Sequence, residues 1–489
     1  MGIARTRIRL GVAALALIAS AVLIVLAPEI GPAIAIALVL ATKAWFFPRS
    51  FVGIALILVV LSAVLSARLP DTTASLIDEI VICVGLITLP LLRVARGGLP
   101  IVPAWSLWFV GFAGDGIYSA LLNEVPTALV LQGGFLAIKA VLFGVMTAQV
   151  DWRPEDLRPF AIGGATAILT IFAACIVNLI APEWWTSVLL GAPIEFTGEF
   201  GLPALIGWFS HPAALGRISV LLASAALTYH LYVKGTWRTT VLFGMATLMS
   251  LVTFRVKTIV SLLTSLGIIG FVNIRKIPRP VIVVALALLA VAAFPLLRYV
   301  ADDVQQYLLS RSARSLLTYG AIDVAERQFP WGAGFGRYGS YTASAYYSPE
   351  YRRLDFESEY GMGSEPGRGQ FLNDTQWPAI LGEAGWVGAL LFVGGILHIG
   401  ARYLGRPTGE APPEAWVRMT GLAWLVIVVV ESIGAPVFTS PPSFPLPFFA
   451  AGVYLALQRA KELPPQNSQI TRSEARIRSE MTRWPASLG

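Results

Sequence analysis

Two basic residues in the stretch SLVTFRVKTIVSLL, Arg255 and Lys257, stand between apolar runs. A charge there is expensive unless it meets a partner or a water-filled cavity. Two neighbouring cations at a helix end suit a diphosphate headgroup. They equally suit long side chains snorkelling to a membrane interface, and the sequence leaves both readings open. A second store of positive charge lies in the polar stretch 300–375, with Arg311, Arg314, Arg327, Arg337, Arg352, Arg353 and Arg368. So many arginines point to an anionic substrate. His211, in GWFSHPAALGR, directly precedes an apolar run; it reads as a helix cap or as a chemical group, with Arg217 as a minor anion contact. Asp115 in GFAGDGIY and Lys139 in FLAIKAVLF lie inside apolar runs. They are expected to pair with each other across neighbouring helices, the sharper alternative being a proton or ion path.

Other motifs limit the chemistry. Walker A, GxSxG and HExxH sequences are absent. WGAGFGRYG at 331–339 has the glycine density of a phosphate loop but lacks the Lys-Ser/Thr and a preceding strand, so it reads as a tight turn with positive φ. The acidic group Glu350, Asp355, Glu357, Glu359 and Glu365 can hold a cation or sugar hydroxyls, or form a solvated face. Cys83 and Cys175 both lie in apolar runs, and with three histidines there is no Cys/His cluster. No metal or other cofactor is therefore expected.

The elements that must position these residues are membrane helices. Of 489 residues, 56% are hydrophobic and 13% charged, with a mean hydropathy of +0.70; a soluble chain carries about a quarter charged residues. The net charge of +7 sits mainly in short loops between apolar runs, a distribution that argues against nucleic acid as a partner. Apolar runs predict about fourteen spans, near 9–27, 30–46, 51–68, 76–93, 101–122, 127–148, 158–180, 212–233, 238–254, 256–273, 280–299, 376–400, 415–434 and 441–459. The N-terminal run looks like a signal peptide but has no small-residue cleavage site, and is read as the first retained span. Alternate loops are basic, from Arg5, Arg7 and Arg9 to the tail, which places both termini in the cytoplasm. The expected class is thus an all-α polytopic membrane protein. Its helical domain covers 1–459, with external loops at 181–211 and 300–375, and a flexible basic cytoplasmic tail follows at 460–489.

RSLLTYGAIDVAERQFPWGAGFGRYGSY (314–341) resembles an element of the bacterial O-antigen ligase and polymerase superfamily, running from an arginine through an amphipathic helix to a Pro-x-Gly-x-Gly turn. FLNDTQWPAILGEAGWVGALLF (371–392) is similar to the next element, a polar motif opening a helix with Glu-x-Gly-x-x-Gly inside it. GWFSHPAALGRISVLL (207–222) and TFRVKTIVSLL resemble two earlier elements, so the likeness covers about 207–400 in order. YGSYTASAYYSPEYRRL and the Asp-Thr-Gln-Trp-Pro run look most like exopolysaccharide polymerases. The ligases usually carry His-Asn where this chain has Asp374-Thr375.

The resemblance implies a glycosyltransferase-C-like fold with one large external loop, in a bacterial plasma (inner) membrane, with an extracytoplasmic site. A polyprenyl-diphosphate-linked oligosaccharide would be attacked at its anomeric carbon by a hydroxyl of an acceptor glycan, with inversion and without a metal. Asp374, Arg314 and Arg255 would be the catalytic residues. Lys257, Arg311, His211, Arg217, Arg337 and Glu383 would contact substrate. A carboxylate is a weak base near pKa 4, and Asp374 at a helix start equally suits an N-cap. The same resemblance implies membrane lipids, and a chain-length regulator or flippase, as partners. A ligase transferring a finished glycan to a lipid, protein or wall acceptor is the second expectation, and a transporter or flippase is the third.

Overall fold

The computed structural model describes residues 31–68, 76–198, 201–273, 312–365, 367–369, 371–405 and 409–462. The expected spans at 9–27 and 280–299, Arg311 and the tail beyond 462 lie outside the described residues.

Among the described residues the chain is all-helical, with sixteen α-helices and no strand. The first ten are α1 (Gly31–Phe46), α2 (Pro48–Arg68), α3 (Ile77–Ala95), α4 (Ser106–Leu122), α5 (Thr127–Ala148), α6 (Arg158–Ile180), α7 (Pro182–Leu190), α8 (Pro212–Tyr232), α9 (Trp237–Leu251) and α10 (Val256–Val272). Three shorter elements follow, α11 (Ala313–Arg327), α12 (Tyr341–Tyr346) and α13 (Pro349–Arg353). The last three are α14 (Gln376–Leu404), α15 (Pro412–Glu431) and α16 (Pro445–Glu462).

Five helical stretches, 127–148, 154–180, 212–232, 376–404 and 412–431, are long and apolar enough to cross a membrane. Shorter apolar helices accompany them at 31–46, 48–62, 106–122 and 256–272. The outer surface has the inverted pattern that lipid demands. On α4, Leu107, Val110 and Leu121 are 59%, 64% and 71% exposed, while Phe109 and Phe112 on the opposite face are buried. In water so much exposed apolar surface would drive association; against hydrocarbon it carries no penalty.

Small residues set the packing distances. Gly85 of α3 lies on Met146 of α5, and Gly144 of α5 lies on the backbone of Phe448 in α16. α4 packs on α14 and α5, α5 also on α16, and α15 lies between α8, α10 and α16. Phe109, Phe392, Phe438 and Phe448 fill the centre edge to face, with Phe109 and Phe392 centroids 5.4 Å apart; such contacts add to the burial energy of each ring. At one end of the bundle Arg49 donates to the Asp151 carbonyl (2.8 Å) and the Asp156 carboxylate (3.0 Å), and Arg93 to Asp151 (2.8 Å). Three basic turns therefore meet there.

The polar stretch expected as an external loop is a folded unit where it is described. Leu317, Ala321 and Val324 form the apolar face of α11, at the spacing of an amphipathic helix. They pack with Tyr338, Tyr347, Tyr351 and Phe356 into a core of their own. Most of its arginines are held inside the unit. Arg327 pairs with Asp323 (2.6 Å) and Glu350 (3.6 Å), Arg353 with Glu350, and Arg368 with Glu365 (3.0 Å). Local ion pairing thus occupies many of them; of the acidic group, Glu350 and Glu365 belong to these pairs, while Glu357 accepts from the Ser364 hydroxyl.

The glycine turn joins this unit to the membrane helices. Gly332, Gly334, Gly336 and Gly339 all have positive φ, as the tight-turn reading requires. Ala333 and Gly334 donate to the carbonyls of Gly382 and Glu383, both at 2.8 Å. α14 breaks at that point, with Gly385 at φ 60° and ψ −162°. A Cβ on Gly385 would overlap the Pro330 carbonyl, and one on Gly332 would overlap the Gly385 nitrogen. Phe335 enters the space left by Gly116 and Gly134 and meets Phe112 edge to face at 5.5 Å.

Candidate functional site

Ser312 begins the site by capping α11, its hydroxyl accepting from the Ser315 amide. Arg314 follows in the first turn, and its Nε and Nη2 donate to Asp374 Oδ2 at 2.6 and 2.5 Å. Both side chains remain partly exposed, at 25% and 29%. Asp374 does not cap α14. The cap position is Thr375, which makes no side-chain cap bond, and the Asp374 carboxylate turns to Arg314 instead. Its Oδ1 takes neither of these bonds.

The start of α14 is fastened to the end of α15. Trp377 Nε1 donates to Ser432 Oγ at 3.0 Å, and Gln376 Oε1 accepts from the Phe438 amide at 3.2 Å. Beside this junction Lys257 Nζ donates to the Gly434 carbonyl at 3.1 Å, at the negative end of α15. Lys257 lies within electrostatic reach of Glu431, Arg217, Arg314 and Asp374. Arg217 Nε meets Glu431 Oε2 at 3.4 Å, and its Nη1 meets Ser443 Oγ at 3.5 Å. Ser261 Oγ donates to the other oxygen of Glu431 at 3.0 Å.

His211 caps α8, its Nδ1 accepting from the Ala213 amide at 3.1 Å. Although the residue keeps an exposed edge, burial of the ring, then the charges of Arg255, Lys257 and Arg217, push its pKa down to about 4. It is neutral at physiological pH and serves the helix start. Arg255 occupies the cap position of α10 just after Phe254, whose φ is 48°. That turn is covered by the segment after α7, with Leu205 donating to the Val252 carbonyl at 3.3 Å and Gly198 against Phe254.

Six residues expected at the site therefore fall in one neighbourhood: Arg255, Lys257, Arg217, Arg314, Asp374 and His211. Two others do not join it. Glu383 is a correction, because it is buried and its Oε1 accepts from the Gly336 amide (2.9 Å), the Tyr338 amide (3.3 Å) and Ser340 Oγ (2.6 Å). It holds the glycine turn in place. Arg337 is also turned to the fold, donating to Tyr346 Oη at 3.2 Å and to the Asn123 carbonyl at 3.1 Å. Arg311 lies outside the described residues.

The expected pairing of Asp115 with Lys139 is also corrected. Lys139 Nζ bonds Asp78 Oδ2 at 2.7 Å and Glu79 Oε1 at 3.2 Å, and lies 5.0 Å from the centre of the Phe444 ring. Asp115 faces Gly388, just beyond the break in α14.

Glu431 is the residue that sequence reasoning missed. Its signal was available, since a lone acid in VIVVVESIG is an ionisable residue within an apolar run. Among the described residues, four cations (Arg217, Arg255, Lys257, Arg314) and two carboxylates (Asp374, Glu431) share this neighbourhood. Chemically it can bind a dianion, and it offers a carboxylate beside that anion. No known family model and no curated protein matches this chain.

Proposed function

We propose that this chain is a membrane glycosyltransferase that polymerises a polyprenyl-diphosphate-linked glycan on the outer face of a bacterial plasma membrane. The observation that carries the reading is the Arg314–Asp374 pair standing among Lys257, Arg255 and Arg217, with the carboxylate still partly exposed. Several cations gathered beside one partly exposed carboxylate suit a diphosphate, and the sequence likeness to O-antigen ligases and polymerases spans the same elements. Fourteen spans with both termini inside would put this cluster outside the cytoplasm.

In the proposed reaction an acceptor hydroxyl attacks the anomeric carbon of the donor glycan. The new carbon–oxygen bond forms as the bond to the diphosphate breaks, and Asp374 accepts the hydroxyl proton. The leaving group departs as polyprenyl diphosphate, its growing charge met by Arg314, Arg255 and Lys257. Arg314 also holds the carboxylate in a fixed rotamer, which shortens the search for a reactive geometry. Diphosphate is a good leaving group, so no separate general acid is required.

The test is product size after incubating purified protein with a cognate lipid-linked repeat unit. A ladder of lengths supports polymerisation. One transfer product, formed only when a separate acceptor is supplied, replaces it with the ligase reaction. Substrate left chemically unchanged by a verified cognate pair sinks the enzyme reading.

A further inference from the structure

Glu431 has no part in the reaction just described, yet it is almost fully enclosed at the centre of the cation cluster. Three side chains converge on it. Arg217 comes from α8 at 3.4 Å, Ser261 from α10 at 3.0 Å, and Lys257, also from α10, interacts with it electrostatically. Other charged groups around Lys257 among the described residues include Arg217, Arg314 and Asp374, and His211, close to Arg217, Arg255 and Lys257, is neutral. The contact between Arg217 and Glu431 is long for an ion pair. Glu431 makes its shorter bond to a neutral hydroxyl. A carboxylate serving only to neutralise Arg217 would be expected to close on it. This one sits between two cations instead, and Asp374 is committed to a third through Arg314.

We infer that Glu431 is the resident counter-ion of the anion site: its charge offsets Arg217 and Lys257 and so limits how tightly a diphosphate is held. The inference rests on the anion-site reading under the proposed function. A site in which Arg217 and Lys257 lacked this carboxylate would bind its diphosphate product too tightly to release it. Conversely, with Glu431 replaced and no ligand bound, buried Arg217 would lose this carboxylate, a costly state. One buried carboxylate answers both problems, keeping the empty site foldable and the filled site reversible.

The experiment is calorimetric titration of the full-length purified protein with inorganic pyrophosphate at fixed ionic strength. Glu431→Gln keeps the shape and the Ser261 contact but removes the charge. It is expected to bind pyrophosphate about tenfold more tightly or better, the factor that a unit charge at about 10 Å gives at an effective dielectric of about 20. Thermal stability of the unliganded variant should fall at the same time. A purely structural role predicts the fall in stability with unchanged affinity, and that result overturns the inference. Should Glu431→Gln fail to fold, Ser443→Asp places a second carboxylate beside Arg217. It is then expected to weaken pyrophosphate binding about tenfold by the same electrostatics, and unchanged affinity there overturns the inference. Wild-type protein that binds no pyrophosphate overturns the anion-site reading and this inference together. Wild-type binding without the expected shift overturns the inference alone.

Discussion

Two charged clusters sit in this molecule and are built to opposite plans. In the first, Lys139 is clasped between Asp78 and Glu79, with Lys139 and Asp78 side chains only 4% and 3% exposed. One cation meets two carboxylates under an aromatic ring, and no positive charge is left over. In the second, four cations and two carboxylates gather among the described residues, and Arg314 and Asp374 keep about a quarter of their side-chain surface open. The first cluster is a staple between α3 and α5. The second is partly exposed and supplied from four parts of the chain: α8, α10, α11 and the α14–α15 junction. Access, more than charge itself, is what distinguishes the proposed site from a brace.

The largest expected effect breaks the comparison on the open side. Asp374→Asn should lower turnover by about a hundredfold to ten-thousandfold, the range for removing a general base, with thermal stability little changed. Product formation over time measures this, and near-normal turnover would remove Asp374 from the chemistry. On the closed side, Lys139→Met should cost about 3–5 kcal/mol of stability by leaving buried carboxylates uncompensated, while turnover per folded molecule stays at the wild-type level. Denaturant titration in detergent, beside an activity assay, checks both halves. Equal loss of turnover in the two variants would abolish the distinction between site and brace.

Two smaller effects sharpen it. Gly385→Ala should destabilise the protein by about 1–3 kcal/mol, the usual cost of forcing a side chain into an unfavourable backbone region. Here the new methyl also meets the Pro330 carbonyl, so the drop in melting temperature should come with lost activity as α14 shifts beneath Asp374. The smallest effect depends on pH. Unfolded His211 takes up a proton below about 6.5, whereas in the folded chain it does so only near 4. Its contribution to stability is therefore complete above pH 6.5 and declines as pH falls towards 4. The stability advantage of wild type over His211→Gln should be larger at pH 7.5 than at pH 5; a constant difference would mean that the ring is not held neutral.

Much of this arrangement is legible in the amino-acid sequence. Twelve of the fourteen expected apolar stretches coincide with helices, because each carries its own hydrophobic signal. The glycine turn is legible for a similar reason, since four positive-φ positions need glycine locally. Partnerships between helices are not. Asp115 and Lys139 lie on adjacent helices α4 and α5, yet Lys139 turns to α3, brought alongside by the contact of Gly85 with Met146. Hydropathy says that a charge needs a partner but not which helix supplies it. Glu431 is half legible: a lone acid in an apolar run signals a need for partners, but the cations it meets lie on helices far away in the chain. Glu383 looks like a substrate ligand in a linear motif, and only the folded turn shows its oxygen already occupied.

The joint between the glycine turn and the helices also bears on how the protein is made. Asn123 Nδ2 reaches the Gly332 carbonyl at 3.2 Å across 209 residues of chain, and the turn then needs Gly385, still further along, to complete its seat. A chain emerging in order would hold Arg217, Arg255, Lys257 and Arg314 well before it held a place to organise them. Contacts this distant in sequence form late, so the charged cluster comes together only once α14 has been made, and a truncation before α14 would leave Arg314 without Asp374.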